Sequence, residues 1–547
     1  MHKLRVIPLG GAGEIGKNMT LVEYNRHALV IDAGLMFPAG DHLGVDYIIP
    51  DMAYIMNHRD QLTFHGIFIT HGHEDHIGAI KHALDVIDVP IYATPLTMGL
   101  IKNKLKEAKK TNTKSYIIRP GDVVKKGPFS IEAFHVTHSI PDCVGFAIRT
   151  PVGMIVHTGD YKFDHAPVDG KPTDFSRIAS LGDEGVLALF ADSTNADRPG
   201  WTPSETVIDE AFEQAFTEAP GRIMVATFAS LISRVAQVAK AAQKHRRKMA
   251  IVGTSMSANV GMAFELGYLN FPRDLIVTVE EALKLPKHKV VFLITGSQGE
   301  PSAVLSRLAM GKHNMIEIQA GDTVIVSAHP IPGNEENVHR IINKLFQNGA
   351  NVVYDSIAKV HVSGHASQEE MKLMLSLVRP QFFVPLHGEL RHFQSHARLA
   401  QQLGIPAQNC AIVENGTILE FSPKSMHIKE RYPGGYVFVD GRGVGDIGRA
   451  VIRDREILAA EGFLTIFISV DGRGNLLQAP DIVSRGFVFL READTLLDTI
   501  KDTVRQALKK NVNGRREEVI EESVGRLIFQ ETKRRPMIFA RIHTVGR

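Results

Sequence analysis

His71-Gly72-His73-Glu74-Asp75-His76 packs three imidazoles and two carboxylates into six consecutive positions. The stretch follows the apolar, strand-like run Gly66–Thr70 and precedes a predicted helix over Ile77–Ile87. Residues two apart on an extended chain point the same way, so His71 and His73 share a direction. Asp75 and His76, at the helix start, can face the same spot. The four donors His71, His73, Asp75 and His76 suit one or two borderline-soft ions such as zinc. A loop of surface histidines is the plain alternative, and a lone His-x-His would leave it ahead. The added Asp-His at a strand–helix junction reverses that order.

The metal, if present, must use His and carboxylate ligands. The two cysteines, Cys143 and Cys410, are too few for a thiolate finger site or a disulfide framework. The 547 residues, 44% hydrophobic and 22% charged, have ordinary globular composition. At about 100–200 residues per domain they divide into three or four units. No apolar run reaches the roughly 18–20 residues of a membrane span. The start, MHKLRVIPLGG, lacks the apolar core and cleavage site of a signal peptide, so a cytoplasmic location is expected. A net charge of only +2 excludes a generally basic coat, and a nucleic-acid partner would have to be gripped in a local groove. The basic segments Lys244–Lys248 and Lys533–Arg535 could guide such a partner, although each alone reads better as a solvated helix face or tail.

The elements that must position these residues fall into three regions, with no internal repeat. Val6–Leu9, Thr20–Tyr24, His27–Ile31, Ile67–Thr70, Phe129–Thr137, Val144–Arg149 and Gly153–His157 read as strands. After Thr202-Pro203-Ser204, helices over Glu205–Glu218 and Ser233–Lys244 alternate with buried strands Arg222–Thr227, Met249–Val252, Val290–Thr295 and Thr323–Ser327, which suggests a parallel α/β unit. His-rich motifs then return at 361–388. One catalytic domain interrupted by an insertion is the simplest arrangement. The expected boundaries are 1–205 and 361–425 for the catalytic domain, 206–360 for the insertion, 426–447 for a Gly- and Pro-rich linker, and 448–547 for a small α+β domain. In the last, strands are expected at Leu464–Val470, Asn475–Leu477 and Met537–His543, and helices at Glu492–Leu508 and Glu517–Thr532.

Gly11-x-Gly13-x-x-Gly16 follows a strand and imitates a dinucleotide fingerprint. That fingerprint needs a helix directly after the glycines to hold the pyrophosphate. The next residues, NMTLVEYNRHALVIDAG, alternate around Asn25-Arg26 and read as a β-hairpin. The glycines are therefore expected to form a tight loop beside the active site.

The His-x-His-x-Asp-His motif resembles that of the metallo-β-lactamase superfamily, which implies an αββα sandwich. By that resemblance, Asp32 in VIDAG matches the first motif and orients a ligand or the loop. His138 in VTHSIPD matches the third-motif histidine, and Asp160 in HTGDYK the bridging carboxylate. His135 and His157 are rivals that motif position disfavours. The implied first ion is held by His71, His73, His138 and Asp160, and the second by Asp75, His76, Asp160 and a late histidine. HVSGHAS at 361–367 and PLHGE at 385–389 resemble motifs B and C of the β-CASP nucleases, and Asp192 in ADSTNA their motif A. Members acting on RNA carry histidine at motif C, which makes His387 the late ligand and RNA the implied substrate. The fold implied is thus the αββα sandwich with an inserted β-CASP α/β domain and a small C-terminal α+β domain.

Within that group the chain is similar to the ribonuclease J family over essentially its whole length, through GGAGEIGKN, THGHEDHIGA, TGSQGEP, HPIPGNE, HVSGHAS and PLHGE. The resemblance implies two zinc ions, with manganese or magnesium as substitutes. It implies 5′→3′ trimming that prefers a 5′-monophosphate, with internal cleavage as well. A homodimer or homotetramer and other RNA-degradation proteins are the implied partners. His361, Val362, Ser363, Gly364 and His365 resemble the phosphate-binding loop. His365 would stand beside the scissile phosphate as acid or stabiliser, and Asp75 would orient water and take its proton. The loops 295–300 and 327–334 are further phosphate candidates or plain connectors. Asp46 and Asp440 are candidates for a calcium ion. Two readings remain against the ribonuclease: a small-molecule metallo-hydrolase acting on thioesters or lactams, and a non-catalytic RNA-processing scaffold.

Overall fold

The computed structural model describes residues 3–38, 42–300, 302–330, 334–487, 494–509 and 515–545. Two sheets face each other in the catalytic domain. The first has eight strands, in the order Ser425–Arg431, Thr417–Ser422, Leu4–Gly10, Met19–Tyr24, His27–Ile31, Thr63–Phe68, Ile91–Ala93 and Ser115–Ile117. The second has six, in the order Phe382–Leu386, Ala188–Asp192, Met154–His157, Val144–Arg149, Phe129–His135 and Val123–Lys126. Leu4, Val6, Val22, Leu29, Ile31 and Phe68 of the first pack with Phe129, Ile131, Phe146, Ile155, Phe190 and Val384 of the second in one core. Met19–Tyr24 is buried at every position, as expected of a strand covered on both faces.

The hairpin after the glycines is present. Met19–Tyr24 and His27–Ile31 pair antiparallel, with Asn25 at φ 55° in the turn, a conformation asparagine tolerates better than most residues. The predicted helix over 77–87 is two short ones, Glu74–Ile77 and Ile80–Val86. The break falls where Ala79 N–H leaves the helix to reach Ala33 O at 2.8 Å.

The insertion carries its own six-stranded sheet, in the order Ile276–Val277, Lys248–Val252, Val290–Ile294, Ile223–Ala226, Thr323–Val326 and Asn351–Val353. All its pairings are parallel, and helices such as Val304–Ala309 and Glu335–Gln347 contribute to its core. The chain then returns. Phe382–Leu386 pairs parallel with Ala188–Asp192, so residues almost two hundred apart in sequence finish side by side.

The stretch expected to be a linker begins differently. Ser425–Arg431 is the edge strand of the eight-stranded sheet, paired with Thr417–Ser422. As an edge strand it is mostly exposed, so it carries none of the alternation that marks a half-buried strand. A second compact unit is made of 38–46 and 438–547. Within it, Phe463–Val470 lies between Asp481–Arg485 and Met537–Thr544. Ile500, Val504, Ile520, Val524 and Ile528 from the helices Asp494–Leu508 and Arg516–Thr532 cover Leu464, Ile466 and Ile468. The strand expected at Asn475–Leu477 is only a bridge from Leu476 to Val470, and the pairing partner is Asp481–Arg485. Residues 492 and 493 of the expected helix lie outside the described residues. No helix among the described residues is long and apolar enough to cross a membrane.

Candidate metal centre

The candidate ligands stand at or just beyond the carboxyl ends of strands. His71 and His73 follow Thr63–Phe68, His138 follows Phe129–His135, Asp160 follows Met154–His157, Asp192 ends Ala188–Asp192, and His387 follows Phe382–Leu386. Asp75 and His76 lie in the short helix Glu74–Ile77. Asp32 and His387 take left-handed backbone, φ 61° and 48°, which is uncommon away from glycine and costs of order 1–3 kcal/mol each.

His71 Nε2 and His138 Nε2 each lie 3.1 Å from His73 Nδ1. Nitrogens at the corners of a tetrahedron around zinc stand about 3.3 Å apart, from bonds of roughly 2.0–2.1 Å. The second set is Asp75, His76, Asp160 and His387, each offering one ligand atom within 4.8 Å of the others. Asp160 joins the two sets. Its Oδ2 is 3.6 Å from His71 Nε2, 3.7 Å from His138 Nε2 and 3.2 Å from His76 Nε2, while its Oδ1 is 2.8 Å from His387 Nδ1. Asp160, Asp192, His365 and His387 form a third, overlapping group.

The donor chemistry fits divalent metal. Burial holds His71 and His138 well below the usual imidazole range and His73 at about 4, so all three are neutral, the form that ligates metal. In the second set burial again opposes charge on His76 and His387, but Asp160 and Asp75 outweigh it. His76 is raised well above its ordinary value, with Asp32 also contributing, and His387 is raised to about 10. Asp75 and Asp160 are drawn below the carboxylate range by the same imidazoles, against burial. Buried carboxylates therefore demand positive charge here, and a cation can supply it in place of two protons. His387 Nε2 is buried with no hydrogen-bond partner, 3.4 Å from Asp75 Oδ2, as suits a nitrogen that takes a metal.

The flanking residues take defined places. Asp32 accepts from Thr70 N–H at 2.8 Å and from Thr70 Oγ1 at 2.9 Å, and pairs with His76 Nδ1 at 2.8 Å. This is the place from which an outer-sphere carboxylate would orient His76. Asp192 Oδ2 is 2.8 Å from His365 Nδ1. His135 Nε2 faces Lys171 O at 3.0 Å, and His157 Nδ1 accepts from Gly159 N–H at 3.1 Å; neither joins a ligand group among the described residues.

The 361–365 loop abuts the centre. Gly364 O pairs with His138 Nδ1 at 2.7 Å, and a Cβ at Gly364 would stand 2.5 Å from that ring. Ser363 Oγ accepts from Asn195 Nδ2 at 2.8 Å and from His365 N–H at 3.2 Å. Val362 is buried, and His361 Nδ1 is buried without a partner. Of the other phosphate candidates, 331–333 lie outside the described residues.

Asp46 and Asp440 do not form a cation site of three close ligand atoms among the described residues. Asp440 pairs with the Arg455 guanidinium at 2.7 Å, and Asp46 accepts from Gly441 N–H at 2.7 Å. The basic run 244–248 is similarly engaged: Lys244 meets Glu213, Lys248 meets Asp274, and Arg247 donates to Gly221 O and Ala219 O.

Sequence reasoning missed Asn18, Thr70, Asn195, Thr202 and Glu370. Thr202 Oγ1 donates to His365 O at 2.7 Å. Glu370 is fully buried and accepts from the N–H groups of Phe163, Thr202 and Ser367 at 2.7–2.8 Å. Ser367-x-x-Glu370 carries a legible capping-box spacing. Asn18 has no such signal.

Ribonuclease J 1 of Streptococcus pyogenes serotype M3 is 41% identical over 99% of this chain and 98% of its own. The chain belongs to the ribonuclease J family. Ribonuclease J of Thermus thermophilus is 43% identical over 98% of this chain and 94% of its own, and ribonuclease J2 of Bacillus subtilis 38% over 98% of both. Family profiles divide this ribonuclease J family member into a metallo-beta-lactamase superfamily region at 12–198, a ribonuclease J beta-CASP domain at 220–345, a Zn-dependent metallo-hydrolase RNA specificity domain at 349–410 and a ribonuclease J C-terminal domain at 450–545. A crystal structure of an Enterococcus faecalis V583 protein of unknown function matches 77% of this chain and 100% of its own at TM-score 0.54 and 18% identity, a likeness of fold.

Proposed function

We propose that this chain is a two-metal ribonuclease that trims RNA 5′→3′, prefers a 5′-monophosphate, and also cuts internally. Zinc is the proposed ion, with manganese or magnesium as substitutes. The observation that carries the reading is the convergence of five histidines and two aspartates on two adjoining sets, with Asp160 Oδ2 3.2–3.7 Å from nitrogens of both, beside the 361–365 loop.

His71, His73, His138 and Asp160 would hold one ion, and Asp75, His76, Asp160 and His387 the other. Bound divalent ions lower the pKa of water to near neutrality and offset charge built on a phosphodiester. The chain's own residues supply the rest. Asp75, with 31% of its side chain exposed, is the ligand carboxylate open to the cleft and accepts the proton of the attacking water. Asp192 engages His365 Nδ1, which leaves Nε2 to donate to the scissile phosphate or the departing oxygen. The water oxygen joins phosphorus, the bond to the 3′ oxygen breaks, and that oxygen takes up a proton, leaving a 5′-phosphate. Backbone N–H groups of the 361–365 loop and the Ser363 hydroxyl are suited to a terminal phosphate. The cytoplasm, a homodimer or homotetramer, and other RNA-degrading proteins complete the proposal.

One RNA carrying a 5′-triphosphate, 5′-monophosphate or 5′-hydroxyl tests it, each incubated with the wild type and with His73→Ala. Expected is mononucleotide release, fastest from the monophosphate and absent in the variant. Thioester hydrolysis without RNA cleavage would return the chain to small-molecule chemistry, and a fully active His73→Ala would sink the metal assignment.

A further inference from the structure

The glycine-rich segment Gly10–Asn18 has no nucleotide to bind once the hairpin is seen, yet it is packed against the metal centre. Asn18 is buried. Its side-chain nitrogen lies 3.0 Å from His76 Nε2 and 3.2 Å from the Asp75 carbonyl oxygen. Its backbone N–H donates to that same carbonyl at 2.9 Å, and its own carbonyl accepts from Gly34 N–H at 2.9 Å. A carbonyl only accepts, so Asp75 O dictates that the NH2 end of the amide, not the oxygen, faces the Asp75–His76 step. His76 Nδ1 is meanwhile held by Asp32 at 2.8 Å, which leaves Nε2, 3.2 Å from Asp160 Oδ2, as the nitrogen that would ligate. Asn18 therefore anchors the Asp75–His76 step through the Asp75 carbonyl, to which both its amide nitrogens donate.

The glycines around Asn18 are the space this approach needs. A Cβ on Gly11, whose φ is +77°, would stand 2.1 Å from Asn18 Oδ1. A Cβ on Gly34 would stand 1.6 Å from Asp75 O and 2.8 Å from Asn18 N. Gly11 also receives the other late ligand, because its carbonyl accepts from His387 N–H at 2.7 Å. The loop that imitates a dinucleotide fingerprint thus touches Asp75, His76 and His387, three of the four residues of the second set.

We propose that Asn18 is a positioning residue of the second ion site, which fixes Asp75 and His76 in ligating geometry. This rests on the two-ion reading above. Loss of an outer-sphere partner weakens metal affinity about 10- to 100-fold, and here the loss falls on one ion of two.

The test uses the full chain, stripped with chelator and titrated with Zn2+ and separately with Mn2+. Ions per chain are counted by elemental mass spectrometry and affinities taken from calorimetry. Wild type is expected to bind two ions. Asn18→Ala is expected to keep one at wild-type affinity and bind the other about 10- to 100-fold more weakly, with RNA cleavage recovering as Mn2+ is raised. Asn18→Leu keeps the volume but not the donors, so the same outcome there assigns the effect to the amide, and it carries the test if the alanine variant does not fold. Two ions at wild-type affinity in both variants would overturn the inference. So would loss of both ions together from a folded variant, since Asn18 would then not be particular to one site. A wild type holding fewer than two ions overturns the two-ion reading itself, and this inference with it.

Discussion

Asp160 stands between the two candidate ligand sets, its Oδ2 3.2–3.7 Å from nitrogens of both. Asp160→Asn preserves its shape and removes the charge. Expected is less than one ion bound per chain and no measurable RNA cleavage, read by elemental analysis and single-turnover kinetics. Asp192 acts differently. It holds His365 Nδ1 and accepts from Thr194 N–H and Oγ1 at 2.8–2.9 Å. Asp192→Asn is expected to keep both ions and slow cleavage about 10²- to 10⁴-fold, the range for a displaced general acid. Ion loss in that variant would instead make Asp192 a ligand. His71, His73, Asp75 and His76 were readable from spacing alone. His138, Asp160 and His387 needed the family resemblance, since His135 and His157 are equally histidines near strand ends. Asn18 ends the GGAGEIGKN motif, but its contact was not readable from it, because that depends on a carbonyl fifty-seven positions away.

At the scale of elements, the strand Phe129–His135 leads into the His138 turn, and an ion network ties its outer side to neighbouring elements. Glu132 on that strand pairs with Arg177 of the helix Phe175–Glu184 and with Arg149 at the end of Val144–Arg149. Hydrogen bonds from Arg177 and then Arg149 outweigh burial and hold the Glu132 carboxyl below its ordinary value. A carboxyl lowered in the folded state stabilises the fold fully above its unfolded pKa, and that contribution is lost as pH falls through the folded value. Glu132→Gln is therefore expected to lower the melting temperature at pH 7 and to differ progressively less from wild type below about pH 4.3. A gap that widens with acid would refute this. The elements themselves were legible where burial is periodic or complete, as at Met19–Tyr24 and Val290–Ile294. They were not legible at Ser425–Arg431, where an exposed edge removes the pattern.

At the scale of the molecule, the insertion contacts the catalytic domain close to a candidate metal ligand, His138. Tyr268, just beyond the helix Thr254–Glu265, donates its hydroxyl to Asp142 Oδ2 at 2.6 Å. Asp142 also accepts from Leu96 N–H at 3.1 Å and sits in left-handed backbone, φ 69°, four residues after His138. Gly99 adds to this contact, since a Cβ there would stand 2.5 Å from Met262 Sδ. Tyr268→Phe removes one hydrogen bond to a charged group, worth about 1.5–3 kcal/mol. Expected is a raised KM for RNA with hydrolysis of a small phosphodiester, such as bis(p-nitrophenyl) phosphate, unchanged. An equal fall on both substrates would show that the bond serves the metal centre rather than the contact between the domains.

The sequence by itself determined the cluster of candidate donors from His71 to His76 and its strand-then-helix setting, the hairpin that rules out a dinucleotide loop, and the alternation that marks the insertion. These are local, because ligand spacing, turn residues and hydrophobic period act over a few positions. Only the tertiary structure decided which histidines converge. Asp160 meets His387 because Ala188–Asp192 pairs parallel with Met154–His157 on one side and, across the whole insertion, with Phe382–Leu386 on the other. It likewise decided that Asp440 answers Arg455 and that Asn18 faces His76. Charge pairing and close approach between distant segments depend on which carboxyl ends of strands finish side by side, and sheet order, unlike spacing, is a property of the folded chain.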